Sequence, residues 1–155
     1  KAQGEALIRE GAPVYVIDDA ELERVKAGYP CVWMDLGASP KRCFVGCPHL
    51  TLGQLQSWTE RLEKSLRENG KTNVTVPTVF TAAPATIKEF QKTVYAKRLE
   101  RTGVILSYIC PLMYMNNPLS GKMPVITCSN KLRTYTTARY YTEAEILNKI
   151  TGGAC

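Results

Sequence analysis

The chain has 155 residues, 45% hydrophobic and 22% charged, with a net charge of +6. That size and balance fit one globular domain able to bury a core without disulfide staples. No apolar run reaches the roughly 18–20 residues that a membrane span needs, and the opening KAQGEALIREG is too polar for a signal peptide. No membrane partner and a cytoplasmic setting are therefore expected. The basic residues in 59–72 and 88–101 alternate with glutamates at helical spacing, the pattern of a solvated helix face, so no nucleic-acid partner is expected. The first residue is Lys1 rather than Met, which leads us to expect a longer polypeptide around this one.

In chain order, strand and helix signals alternate. Residues 13–17 (PVYVI) read as a strand. A helix over 19–27 follows, capped by Asp18 or Asp19 and stopped by Gly28. Residues 42–46 (RCFVG) read as a second strand. Thr51 and Gln54 then form a capping-box pattern before an amphipathic helix near 52–68, whose Leu52, Leu55, Trp58, Leu62 and Leu66 recur every three or four residues. Residues 74–81 read as a third strand, entered after Pro77. Thr86 and Glu89 mark a second box and a helix to about Thr102, ended by Gly103. Residues 104–109 (VILSYI) are a near-continuous apolar strand, as expected where both faces of a parallel sheet are covered. Residues 123–127 are a fifth strand, and the box Thr142–Glu145 opens a last helix that Gly152 and Gly153 close. Alternating strands and helices predict a single α/β domain over 1–155: a three-layer α/β/α arrangement with a mainly parallel sheet of about five strands.

Ligands of such sheets bind beyond the carboxyl ends of the strands. There the sequence places Cys47, Pro48 and His49 after the second strand, Thr81 after the third, Cys110 after the fourth, and Cys128, Ser129 and Lys131 after the fifth. Cys47 and Cys110 are candidate ligands of zinc or an iron–sulfur cluster, thiolates being soft donors; the competing reading is two buried thiols at strand ends. Neither belongs to a C-x-x-C pair. Cys43 and Cys47 lie about 13 Å apart along an extended strand, too far to share one metal, so Cys43 is assigned to the core. Cys31 and Cys155 have no partner pattern. His49, the sole histidine, either orients its loop or stands near a ligand. Ser129 and Lys131 either cap a helix beside a solvated lysine or bind a carboxylate or phosphate.

The run Gly46-Cys47-Pro48-His49-Leu50-Thr51-Leu52 resembles a motif of the aconitase X family. In the same order follow the Val76–Thr81 strand, the strand ending at Cys110-Pro111, the segment Thr127-Cys128-Ser129-Asn130-Lys131, and Thr151-Gly152. The resemblance runs from about Gly4 onward. It implies that this is the C-terminal part of a longer aconitase X-like chain, a hydro-lyase that dehydrates a small hydroxy acid of the hydroxyproline or phosphomevalonate type. It implies Cys47 and Cys110 as iron–sulfur cluster ligands, with the third ligand outside this chain. Ser129 and Lys131 would contact the substrate acid group, His49 and Thr81 would also bind substrate, and His49 would lie near the cluster. The implied partners are the rest of the large chain and a small subunit or fused small domain; the isolated chain is then expected to be inactive. Three positions depart from the family pattern: Tyr108-Ile109 stand before Cys110 where Asp-Thr is usual, Cys128 replaces an asparagine, and Thr134 replaces a histidine. Two other readings remain: an α/β module that binds a small acid without a cluster, and a thiol-redox protein, against which the lack of C-x-x-C counts.

Overall fold

The computed structural model describes residues 2–153. Cys155 lies outside them. Where the sequence reading treats 1–155 as one domain, the structure divides it into two compact units, the first ending at Pro30 and the second beginning at Cys31.

The first unit holds α1 (Ala2–Glu5) and α2 (Asp19–Ala27). Asp18 caps α2 by accepting from the Glu21 amide, and Gly28 closes it, as the sequence predicts. The strand expected over 13–17 does not form: these residues are irregular, and Val14, Tyr15, Val16 and Ile17 are all exposed. A strand needs a neighbour for its amides and carbonyls, and no strand lies among the described residues of this unit.

The second unit is built on a fully parallel sheet: β1 (Arg42–Leu50), β2 (Thr78–Ala82), β3 (Ile105–Ser107), β4 (Val125–Thr127) and β5 (Arg139–Tyr140), ordered β3-β2-β1-β4-β5. The expected count of five strands is met by different members, because residues 13–17 drop out and β5 enters. β5 is two residues long and gives no periodic signal.

Helices cover both faces. On one side lie α3 (Leu52–Glu68), α4 (Pro84–Gln91), α5 (Val94–Arg101) and α8 (Glu143–Thr151); on the other lie α6 (Pro111–Met115) and α7 (Asn130–Tyr135). The strands serve both layers by alternation. Cys43, Val45, Phe80 and Ile126 pack with Leu55, Trp58, Leu62 and Ile150, whereas Phe44, Val79 and Val125 pack with Met115 and Leu132. Two-sided burial accounts for the apolar residues of β1, β2 and β4. The run at 104–109 departs from the expectation of a strand covered on both faces: β3 takes only Ile105–Ser107, lies at the sheet edge with one neighbour, and leaves Ile105, Tyr108 and Ile109 exposed. The architecture is the three-layer α/β/α sandwich read from the sequence.

The capping boxes at Thr51–Gln54 and Thr142–Glu145 both form, and they open α3 and α8. The one read at Thr86–Glu89 does not. That helix starts earlier, at Pro84, whose fixed φ and missing amide suit a first helical position. It also breaks in two: the Thr93 hydroxyl donates to the Phe90 carbonyl at 2.7 Å, closing α4 before α5 begins.

Candidate functional site

Chain direction fixes where the site forms. From β1 the chain steps outward to β2 and β3 by way of α3, α4 and α5. It then crosses to the other side of β1 and continues to β4 and β5 by way of α6 and α7. The order reverses between β1 and β4, and at such a switch point the loops leaving two adjacent strands diverge and open a crevice at the carboxyl edge. The irregular end of β1, where its pairing with β2 slips, serves as the first loop and carries Cys47 and His49; the turn from β4 carries Cys128 and Ser129, and Lys131 follows in the first turn of α7.

Gly46 shapes the first loop. Its φ is +107°, and the pairing of β1 with β2 shifts register between Val45 and Leu50. A Cβ at this position would run into the Thr81 carbonyl oxygen and lie 2.7 Å from Thr81 Oγ1. Thr81 is fully buried and donates its hydroxyl to the Gly46 carbonyl at 2.5 Å. Its proton is committed there, so Thr81 sits behind the loop and shapes it. The irregularity turns Cys47 onto the face of Phe44, against α6 and α7, while Cys43 points to the opposite core. The peptide between Cys47 and Pro48 is cis.

Ser129 ties the second loop to the first. It caps α7 by accepting from the Leu132 amide at 3.0 Å, and its hydroxyl donates to the Cys47 carbonyl. Thr127 adds a parallel link, Oγ1 donating to the Phe44 carbonyl at 2.8 Å. The third contributor is Cys110, which stands at the N-cap position of α6 without its thiol making a capping bond. Burial pushes the Cys47 thiol above its usual range; the Ser129 hydroxyl and the Lys131 charge oppose the shift, and the neighbouring Cys110 thiol adds to it. Four of the six predicted site residues therefore converge: Cys47, Cys110, Ser129 and Lys131. Lys131 is exposed and Cys110 is half-buried.

His49 is exposed and faces a small cavity of about 150 Å³ on the α3 side of the same loops, shared with Gln54, Trp58, Cys128 and Glu143. Glu143 is held there by Arg61 at 2.6 Å, and Arg61 also lies over the Trp58 ring, 4.8 Å from its centroid. Burial, then the Glu143 charge, pushes the Cys128 thiol up to about 11. Sequence reading did not single out Gln54, Trp58 or Glu143. Their only local signal was membership of capped, amphipathic helices, which marks them as structural.

As a place for a metal group, the site fits in kind and is short in number. Two thiols lie side by side at a loop edge, and thiolates are the donors that iron–sulfur clusters take. Among the described residues no three His, Cys, Asp or Glu side chains converge, so any such group would draw a further ligand from elsewhere. Among the described residues no helix is long and apolar enough to cross a membrane.

No family model and no curated protein sequence matches the chain. Among solved structures, the crystal structure of Thermococcus kodakaraensis aconitase X in its holo form matches with a TM-score of 0.70 and 20% identity, over 97% of this chain and 37% of that one. The chain thus spans little more than a third of that protein's length, and what the two share at this identity is the fold. This chain has the fold of a part of aconitase X, the family that its Gly46–Leu52 motif resembles.

Proposed function

We propose that this chain is the part of an aconitase X-type dehydratase that supplies two cluster-binding thiolates and a cationic contact for a small hydroxy acid. The observation that carries the reading is the meeting of Cys47 and Cys110, 63 residues apart in sequence, beside Ser129 and Lys131 at the switch point. Two adjacent buried thiols resist deprotonation, because burial disfavours each thiolate and the two thiolates would repel each other; a bound iron cation removes both penalties. Held there with a ligand from outside this chain, an iron–sulfur cluster would supply Lewis-acid polarisation of a leaving hydroxyl.

The chain's own residues do the rest. Ser129 fixes the Cys47 backbone through its hydroxyl, and Thr81 fixes Gly46 from behind, so that the first thiol is pre-positioned. Lys131 offers an ammonium to the carboxylate or phosphate of the substrate. His49, two residues beyond Cys47, lines the small cavity on the α3 side. The remaining regions of the longer chain and a small subunit or fused domain would complete the site, and a reducing compartment such as the cytoplasm would keep the thiols free. The chain alone is then inactive; turnover of a hydroxy acid by the 155 residues alone would contradict this.

The test is substitution in the assembled protein. Cys47→Ser and Cys110→Ser are each expected to abolish the cluster's visible absorption and lower iron content, and a full cluster spectrum in both variants would sink the assignment. A second reading, a clusterless small-acid module, is favoured by the presence of only two thiols in the group around exposed Lys131. It predicts carboxylate or phosphate binding weakened by Lys131→Ala in a protein that takes up no iron.

A further inference from the structure

A separate feature lies at the opposite edge of the sheet. α3 leaves the carboxyl end of β1 and runs back to the amino edge, where it ends at Glu68, and α5 ends at Arg101 just before β3 begins. Between these two helix ends is a groove of about 350 Å³ flanked by Arg67, Lys71, Arg98, Arg101 and Glu63. In sequence these cations look like solvated helix faces balanced by glutamates. In space they come from two helices onto one groove, and the balance fails.

Glu63 is claimed by Arg98, whose guanidinium donates to it at 2.5 and 3.1 Å. The Arg98 hydrogen bonds hold the Glu63 carboxyl below its usual range; burial opposes them, and the charges of Arg98, Arg67 and Arg101 add to the lowering. Arg67 and Arg101 line the same groove as Glu63. Four cations against one carboxylate leave an excess of three positive charges at the groove. Helix C-termini attract cations, but each end supplies only about half a negative charge; two ends offset about one of the three. No ion pair among the described residues engages Arg67, Lys71 or Arg101. Lys64, the nearest other cation on α3, pairs with Glu68 instead, at 3.8 Å.

We propose that this groove binds a compact multivalent phosphate anion, with Arg67, Lys71 and Arg101 as its counter-charges. Guanidinium forks match phosphate oxygens two at a time, and a lysine adds a mobile point charge. The groove has the volume of a small-molecule site. No aromatic ring lines it, so bases have nothing to stack on and an extended single strand gains only its phosphates. The groove lies away from the switch-point site and does not depend on the cluster reading.

Inorganic pyrophosphate, titrated calorimetrically into the 155-residue chain at low ionic strength, tests this. The expected result is saturable 1:1 binding, weakened at least about tenfold in the Arg67→Gln/Arg101→Gln variant and several-fold on raising salt toward physiological strength, as exposed charges require. Circular dichroism checks that the double variant folds; should it not, Lys71→Gln is expected to weaken binding and Glu63→Gln to tighten it. Absence of saturable binding, or equal affinity in every variant, overturns the proposal. So does tighter binding of a single-stranded oligonucleotide that the same substitutions abolish, which would make the groove a nucleic-acid contact.

Discussion

At position 46 the chain has no room for a methyl group. The positive φ alone disfavours any side chain, and the Thr81 backbone fills the space where a Cβ would go. Gly46→Ala is expected to cost roughly 3 kcal/mol or more, combining backbone strain with a clash against backbone, and to displace Cys47. A melting temperature within a degree or two of the parent would contradict this. Ser129→Ala removes both a helix cap and the bond to the Cys47 carbonyl. A loss of about 1–2 kcal/mol in denaturant unfolding is expected, and in the assembled protein a looser grip on iron; an unchanged midpoint would show that neither bond matters. Cys128 makes a pH prediction. Its thiol titrates near 11 against an ordinary 9.0, chiefly through burial. The folded protein therefore holds this proton more tightly than the unfolded chain, so the stability it contributes is present below about pH 9 and lost as pH rises toward 11. Cys128→Ala is expected to flatten that alkaline decline by on the order of 2 kcal/mol, measured as the difference between the two pH–stability curves; parallel curves would contradict the assignment.

Among the elements, those whose instructions are local were legible. α3 carries its start in Thr51 and Gln54 and its buried face in the three-and-four spacing of Leu55, Trp58, Leu62 and Leu66, so its bounds could be read directly. α8 is similar, with Gly152 at φ +76° closing it. Thr51→Ala and Thr142→Ala are each expected to cost about 1 kcal/mol, and Leu62→Ala, at the centre of the larger core, about 2–5 kcal/mol. Caps that cost as much as the core leucine in chemical denaturation would contradict that ranking. What was not legible depended on partners. Residues 13–17 have strand composition without a strand beside them, while β5 has two residues and a partner in β4. Thr86–Glu89 imitates a capping box, but Pro84 and the extended Ala83 start the helix first. α6 and α7 are too short to show a period.

For the whole molecule, the parallel sheet and its covering layers follow from the alternation of elements, and the edge on which polar residues gather follows from strand direction. The sequence alone could not say which of those residues meet. Strand order decides it: the switch point lies between β1 and β4, which brings the Ser129 loop onto Cys47, and the chain from β3 brings Cys110 to the same thiol. Thr81, also at a strand end, is instead buried behind Gly46. The seven residues around Cys47 resemble an aconitase X motif, and the path of the backbone shares its fold with part of one aconitase X structure.

The central claim is that Cys47 and Cys110 are two ligands of one cluster completed from outside this chain. Anaerobic iron–sulfide reconstitution tests it most directly, run on the 155 residues alone and on these residues joined to the regions that complete their aconitase X counterpart, with iron and sulfide analysis and a visible spectrum. A stable cluster is expected in the joined form only, lost in Cys47→Ser and in Cys110→Ser. No cluster in either form, or one indifferent to both substitutions, would contradict it and leave the two cysteines as packed thiols beside a small-acid site.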